Sequence, residues 1–231
     1  MDRFTYLFLG LAILLPVIVC FILRYDLRNK ILKFGGIGGV TGIISEAFYF
    51  RDYWRPINMF GVATLSLEDF LFGFAITSLS FAAYATIFQK TFKNPSPRRG
   101  RLYLSFFVLG LIAMFIFNVG IGFNSIFVSS CIFIILSSII LYTRRDLLKP
   151  AFYSVVFVIS YVLVIYVILF SWIDPMFWDK YWRLAGTMWD IRLVGAPLTE
   201  LLWYASWIIF ASISYAFVSG RKFSNKRDPQ L

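Results

Sequence analysis

Glu68-Asp69 and Glu200 carry carboxyl groups at the heads of two strongly apolar segments. A carboxyl group can deliver a proton or remove one, and carboxylates are expensive beside hydrocarbon. The surroundings of the two acids share one pattern. The first copy reads Tyr53-Trp54-Arg55, then Ser66-Leu67-Glu68-Asp69-Phe70-Leu71-Phe72. The second reads Tyr181-Trp182-Arg183, then Pro197-Leu198-Thr199-Glu200-Leu201-Leu202-Trp203. Acids placed twice at such costly positions are functional candidates.

Geometry sorts the acids. Glu68 and Asp69 are neighbours, so on a helix they diverge by about 100° and do not both point into one site. Asp69 aligns with Glu200, and Glu68 aligns with Thr199. Phe72 and Ile76 extend the face of Asp69, while Trp203, Tyr204 and Trp207 extend that of Glu200. An apolar aromatic wall favours the protonated form of a carboxyl, whereas a helix N-terminus favours the charged form. Aromatic faces also tolerate positive charge. Helix capping competes with the catalytic reading: Ser66 to Asp69 has the spacing of a capping box, and Pro197 suits a first helical position. A third site, Glu46, lies about 7 Å inside another apolar segment. It is either a catalytic carboxylate or a partner of Arg51, Arg55 or Tyr53.

These residues need a scaffold, and composition sets its class. The 231 residues are 60% hydrophobic and 20% aromatic, with mean hydropathy +0.77. This reads as a polytopic all-α membrane protein. Seven spans are expected, near 4–23, 32–50, 68–89, 102–119, 124–142, 151–171 and 198–219. Gly35, Gly36, Gly38, Gly39 and Gly42 weaken the second as an apolar run but suit close helix packing. Span 1 lacks a small-residue cleavage site and should be retained.

All but six of the 22 Lys and Arg fall in the loops after spans 1, 3 and 5 and in the tail. The six are Arg3, Arg51, Arg55, Lys180, Arg183 and Arg192. That places the N-terminus outside and the C-terminus in the cytoplasm, with the basic loops facing anionic lipid. No basic face on a soluble unit exists for nucleic acid. The chain has no His, which excludes a His-ligated metal site and a Ser-His-Asp triad. Cys20 and Cys131 lack metal or disulfide spacing. Asn118 and Asn124 read as helix-end hydrogen bonders. Trp172, Trp178, Trp182 and Trp189 read as an interfacial belt.

Spans 1–3 and 5–7 run in the same directions, with span 4 between them. The fold class is therefore seven transmembrane helices in a parallel 3+1+3 repeat. Its halves are about 4–92 and 124–219, within one domain of residues 1–220, followed by a basic cytoplasmic tail at 221–231.

The two motifs resemble those of the membrane-embedded lycopene cyclase domain family, the cofactor-independent type found as two-subunit or fused enzymes. That family carries a Pro-x-Glu-(Glu/Asp)-x-x-Phe type motif at the head of a helix in each of two homologous halves. Leu67-Glu68-Asp69-Phe70-Leu71-Phe72 is a close match with Ser66 in place of the proline. The stretch from Gly195 to Trp203 keeps the proline and the second acid, with Thr199 at the first. The resemblance covers essentially the whole chain. It implies proton-initiated, non-redox ring closure of a linear carotenoid, with no cofactor, no metal, and membrane lipid as surroundings.

On that reading Glu68, Asp69, Glu200 and Glu46 are the catalytic candidates. The proton donor falls on Glu68 or Asp69, and Glu200 stabilises the cation or takes the final proton. Phe72, Trp203, Tyr204, Trp207, Trp54, Trp182, Arg55 and Arg183 are the substrate-binding candidates. A non-catalytic carotenoid or lipid binder and a small transporter are the rival readings. A retinal protein is disfavoured because no Lys lies mid-span. A homo-oligomer stays open.

Overall fold

The computed structural model describes residues 2–93 and 97–225. Residues 226–231, most of the expected basic tail, lie outside the described residues. Seven helices are long and apolar enough to cross a membrane. In order, the elements begin with α1 (Asp2–Leu23), a 3-10 turn (Tyr25–Leu27), α2 (Arg28–Asp52), α3 (Leu67–Ile87) and the short strand β1 (Lys90–Lys93). Then come α4 (Gly100–Met114), which ends in a π-turn (Phe115–Gly120), and α5 (Ser125–Thr143). A second 3-10 turn (Arg145–Leu147) leads to α6 (Leu148–Val167), which also ends in a π-turn (Ile168–Ile173). The chain closes with α7 (Phe177–Tyr181), β2 (Arg192–Leu193), β3 (Ala196–Pro197), α8 (Leu198–Ser219) and β4 (Lys222–Asn225). The long helices fall on the seven expected spans, with ends shifted by a few residues.

The centre of the bundle is α3 and α8. The most apolar stretch of α3 is 78% buried, whereas that of α4 is 11% buried. Helices α1 and α2 pack on α3, and α5 and α6 pack on α8. Each central helix starts and stops by local chemistry. Ser66 and Asp69 form a complete capping box at the head of α3. Gly220 ends α8 in the left-handed conformation, φ 69°.

The glycines of α2 let it touch α3. A methyl group on Gly42 would lie 2.7 Å from the Asp69 carbonyl oxygen. One on Gly38 would lie 2.6 Å from the Gly73 carbonyl oxygen. Backbone-to-backbone approach of this kind is how small residues join helices in an apolar medium. It places Glu46, one turn past Gly42, beside Asp69, one turn before Gly73.

At the basic end the two groups of helices have matching turns. The Arg24 guanidinium grips Asp26 at 3.0 and 2.8 Å and donates to the carbonyls of Ala85 and Lys90. The Arg144 guanidinium grips Asp146 at 2.8 and 2.8 Å and donates to the carbonyls of Ala216 (3.4 Å) and Arg221 (2.8 Å). Beyond these ends β1 and β4 pair antiparallel. Arg24 and Arg144 are buried, so these two charges of the basic end are turned inward. Each satisfies a carbonyl in the last turn of a central helix, Ala85 or Ala216, and a carbonyl just beyond that helix, Lys90 or Arg221.

Candidate functional site

The opposite end is closed by the two Tyr-Trp-Arg motifs. Trp54 and Trp182 form an antiparallel bridge. Arg55 N–H donates to the Tyr181 carbonyl and Arg183 N–H to the Tyr53 carbonyl, both at 2.8 Å. The motifs therefore pair through their backbones. The Arg55 and Arg183 side chains point away and are exposed, while both tryptophans are buried. Trp178 is buried beneath them as well, so Trp178 and Trp182 belong to the core and not to an interfacial belt. Trp172, 76% exposed, fits the belt.

Under this lid is a cavity of about 210 Å³, almost wholly apolar and bounded by α2, α3, α4, α5 and α8. Three carboxyls line it, Glu46, Asp69 and Glu200. Each is 5% exposed or less and comes from a different helix.

Their hydrogen bonds differ. Asp69 is engaged on both oxygens. Its Oδ2 accepts from the Ser66 backbone N–H at 2.6 Å and the Ser66 hydroxyl at 3.1 Å, completing the cap. Its Oδ1 accepts from the Tyr6 hydroxyl at 2.8 Å. Capping and cavity lining thus hold together at one residue, one oxygen for each. Among the described residues Glu46 accepts one hydrogen bond, from Trp54 Nε1 to Oε2 at 3.0 Å. The expected partners Arg51, Arg55 and Tyr53 are replaced by this indole. Glu200 Oε2 accepts from the Tyr166 hydroxyl at 3.4 Å.

Thr199, where a second acid would align, meets the Tyr53 hydroxyl at 3.2 Å. Burial, and then the charge of Glu200, hold the Tyr53 hydroxyl well above its ordinary value. It therefore remains a neutral hydrogen-bonding group beside that carboxyl.

Below the acids runs an aromatic column. Phe72 and Trp203 stack at 6.1 Å and 26°, and Trp203 and Trp207 at 6.2 Å and 6°. Trp203 is fixed by its indole N–H, which donates to the Tyr49 hydroxyl at 2.7 Å. These faces and Trp54 line the cavity. The cavity continues to Phe210, ten residues past Glu200, or about 15 Å along the helix.

Of the expected site residues, the cavity brings together Glu46, Asp69, Glu200, Phe72, Trp54, Trp203 and Trp207. Glu68, Tyr204, Trp182, Arg55 and Arg183 lie outside its lining. Glu68 is buried on the loop side, where Oε1 accepts from the Met59 backbone N–H at 2.7 Å. Tyr204 sits behind the wall, 3.2 Å from the Tyr166 hydroxyl. Tyr6, Tyr49 and Tyr166 escaped sequence reasoning. They lie inside apolar helices where aromatic residues are plentiful, and only the fold reveals which ones meet an acid.

Asp52 likewise gains its role from the fold. It accepts from Ser125 N–H and Oγ, at 3.1 and 2.5 Å, and from Asn118. Asn124 caps α5 as its position implies. Among the described residues no group of three or more His, Cys, Asp or Glu is placed to hold a metal ion. In comparison with known proteins, the chain matches no family model, no curated protein and no solved structure.

Proposed function

We propose that this chain is a membrane-embedded cyclase that closes a ring at the end of a linear carotenoid by proton transfer. The observation that carries this reading is the convergence of Glu46, Asp69 and Glu200 at the closed end of one apolar, aromatic-walled cavity. A carboxylic acid protonates the terminal double bond and leaves a tertiary cation. The neighbouring double bond attacks it and closes a six-membered ring. A carboxylate then removes one proton. The proton gained equals the proton lost, so the product is an isomer of the substrate and no electrons change hands.

The hydrogen bonding divides the roles. Glu46 has one oxygen engaged by Trp54 and the other uncommitted, which suits the proton donor. Asp69 is filled by the Ser66 and Tyr6 donors, which suits a carboxylate that stabilises the cation. Glu200, among tyrosine hydroxyls, is the acceptor of the final proton. Two carboxyls sharing one chamber can hold acid and base forms side by side. This assignment moves the donor from the first motif to α2, because Glu68 faces the loop and Asp69 is occupied. The Phe72–Trp203–Trp207 column faces the cation.

We place the chain across a bilayer with its N-terminus outside, so that the acids lie near the outer face. The matched Arg–Asp turns, the paired Tyr-Trp-Arg motifs and the Asp69/Glu200 correspondence support an ancestral duplication of α1–α3 as α5, α6 and α8. The test is expression in lycopene-accumulating cells with chromatography of the pigments. A cyclic isomer of lycopene is the expected product. Unchanged lycopene, with the protein inserted in the membrane, contradicts the reading.

A further inference from the structure

The carboxyl end of the cavity is closed, and the way into it is a separate question. Three residues that line the cavity are also exposed: Ile44 at 53%, Phe107 at 39% and Leu111 at 37%. All three belong to α2 and α4. The other lining residues are buried or half-buried. The cavity therefore reaches the outside of the bundle along the seam between α2 and α4. Helix α4 is also the least embedded of the seven.

The two sides of this seam are shaped differently. On α2 the rim is small: Gly38, Thr41, Gly42 and Ser45 line the cavity. The hydroxyls of that rim are turned inward on their own helix. Thr41 Oγ1 donates to the carbonyls of Ile37 or Gly38, at 3.0 and 3.1 Å, and Ser45 Oγ to that of Gly42 at 2.8 Å. Hydroxyls satisfied by their own backbone leave the rim apolar toward a visitor. On α4, Gly110 lines the cavity between Phe107 and Leu111 and brings α4 close to α5, where a methyl group on it would lie 3.2 Å from Ile132 Cγ2. Toward the acids the seam is shut. Phe48 and Phe115 meet edge to face at 5.2 Å, and Asp52 ties α2 to Asn118 and Ser125.

Size decides what fits. Pockets that enclose a drug-sized molecule measure about 300–1,000 Å³. A cavity of about 210 Å³ is below that range. It holds the end of a long linear hydrocarbon and not its whole length.

We propose that the α2–α4 seam is a lateral mouth through which one end of a linear isoprenoid hydrocarbon reaches the carboxyls, while the rest of the chain stays in the lipid. This rests on the cyclase reading for the chemistry at the closed end. The binding geometry stands on the seam itself. Two consequences follow. The two ends of one substrate are processed in separate encounters, so a one-ring product is released before a two-ring product forms. Chains of different total length with the same end group are treated alike.

The experiment uses the full chain in phosphatidylcholine vesicles, with Cys20→Ala and Cys131→Ser, and a single cysteine introduced as Thr41→Cys. A pyrene maleimide delivered through the lipid should label it, and lycopene or squalene should slow that labelling severalfold. Val40→Cys, on the exposed face of α2 at 53% exposure, should be labelled equally with and without the hydrocarbon. In the same vesicles with excess lycopene, the one-ring product should precede the two-ring product. Thr41→Phe and Ser45→Phe should slow conversion while Val40→Phe does not. These rim positions are half-buried, and thermal unfolding of each variant in detergent checks that it remains folded.

Protection of Thr41→Cys without any ring formation would support the mouth and sink only the cyclase reading. Ring formation with Thr41→Cys unprotected and Thr41→Phe normal would overturn the mouth and leave the cyclase reading standing.

Discussion

Gly42 and Gly73 meet across the α2–α3 contact so closely that a methyl group on Gly42 would lie 3.2 Å from the Gly73 Cα. That contact sets the position of two acids, because Glu46 and Asp69 each lie one turn away on their helices. The first expectation concerns it. Gly42→Leu should push α2 from α3 at a cost of about 1–3 kcal/mol, as forced overpacking does. It should lower turnover more than thermal stability accounts for, since Glu46 moves from Asp69. Thermal unfolding in detergent and product yield, measured on the same sample, separate the two effects.

The acids should behave unequally. Glu46→Gln should lower ring formation by about 10²–10⁴, the range for loss of a general acid. Glu200→Gln should slow turnover or shift the position of the ring double bond. Glu68→Gln should leave the product profile unchanged, because that side chain binds the Met59 amide outside the cavity. Pigment profiles of the three variants at equal protein level are the readout. A null result for Glu46→Gln with loss in Glu68→Gln would reverse the assignment.

The lid motifs divide side chain from backbone. Trp54→Phe removes the hydrogen bond to Glu46 and should reduce ring formation while keeping the aromatic packing on Trp178, whose ring centroid is 6.4 Å away. Arg55→Ala and Arg183→Ala should be near wild type, because their backbone amides make the bridge and their side chains are exposed. Steady-state conversion rates of the three variants test this contrast.

The matched turns at the basic end should carry stability and no chemistry. Arg24→Ala strips donors from Asp26, from the Ala85 carbonyl in the last turn of α3 and from the Lys90 carbonyl of β1. Leaving such buried groups unmet costs about 1–3 kcal/mol each. Arg144→Ala should act similarly at α8. Both should lower the midpoint of thermal unfolding in detergent while the surviving folded fraction keeps its rate.

Much of this arrangement is legible in the sequence, and the reasons are local. The seven helices follow from runs of apolar residues, which any bilayer-length segment displays directly. The Ser66–Asp69 cap is a short-range signal, as is the glycine stripe of α2. Trp54 and Trp182 stand in a shared sequence motif, but nothing in that motif says that their backbones pair. The divergence of Glu68 and Asp69 follows from helix geometry, and Asp69 is singled out by its alignment with Glu200, whereas its bond to Tyr6 comes only from the fold. The partners Tyr6, Tyr49, Tyr166 and Asp52 carry no local mark. Their roles come from contacts between residues far apart in the chain, as with Tyr49 and Trp203 or Asp52 and Ser125. Arg24 and Arg144 looked like ordinary loop charges because nothing in a basic loop reveals which of its arginines faces a helix end.

The most direct measurement is isotopic. Purified protein in phosphatidylcholine vesicles is given lycopene in heavy water, with no nucleotide or metal added, and the cyclic product is analysed by mass spectrometry. On the proposed mechanism the proton that Glu46 delivers exchanges with solvent, so each ring formed should carry one deuterium, and the product made in ordinary water should have the mass of lycopene itself. A cyclic product without deuterium, a product differing from lycopene in mass in ordinary water, or no ring at all would contradict proton-initiated isomerisation at these three carboxyls.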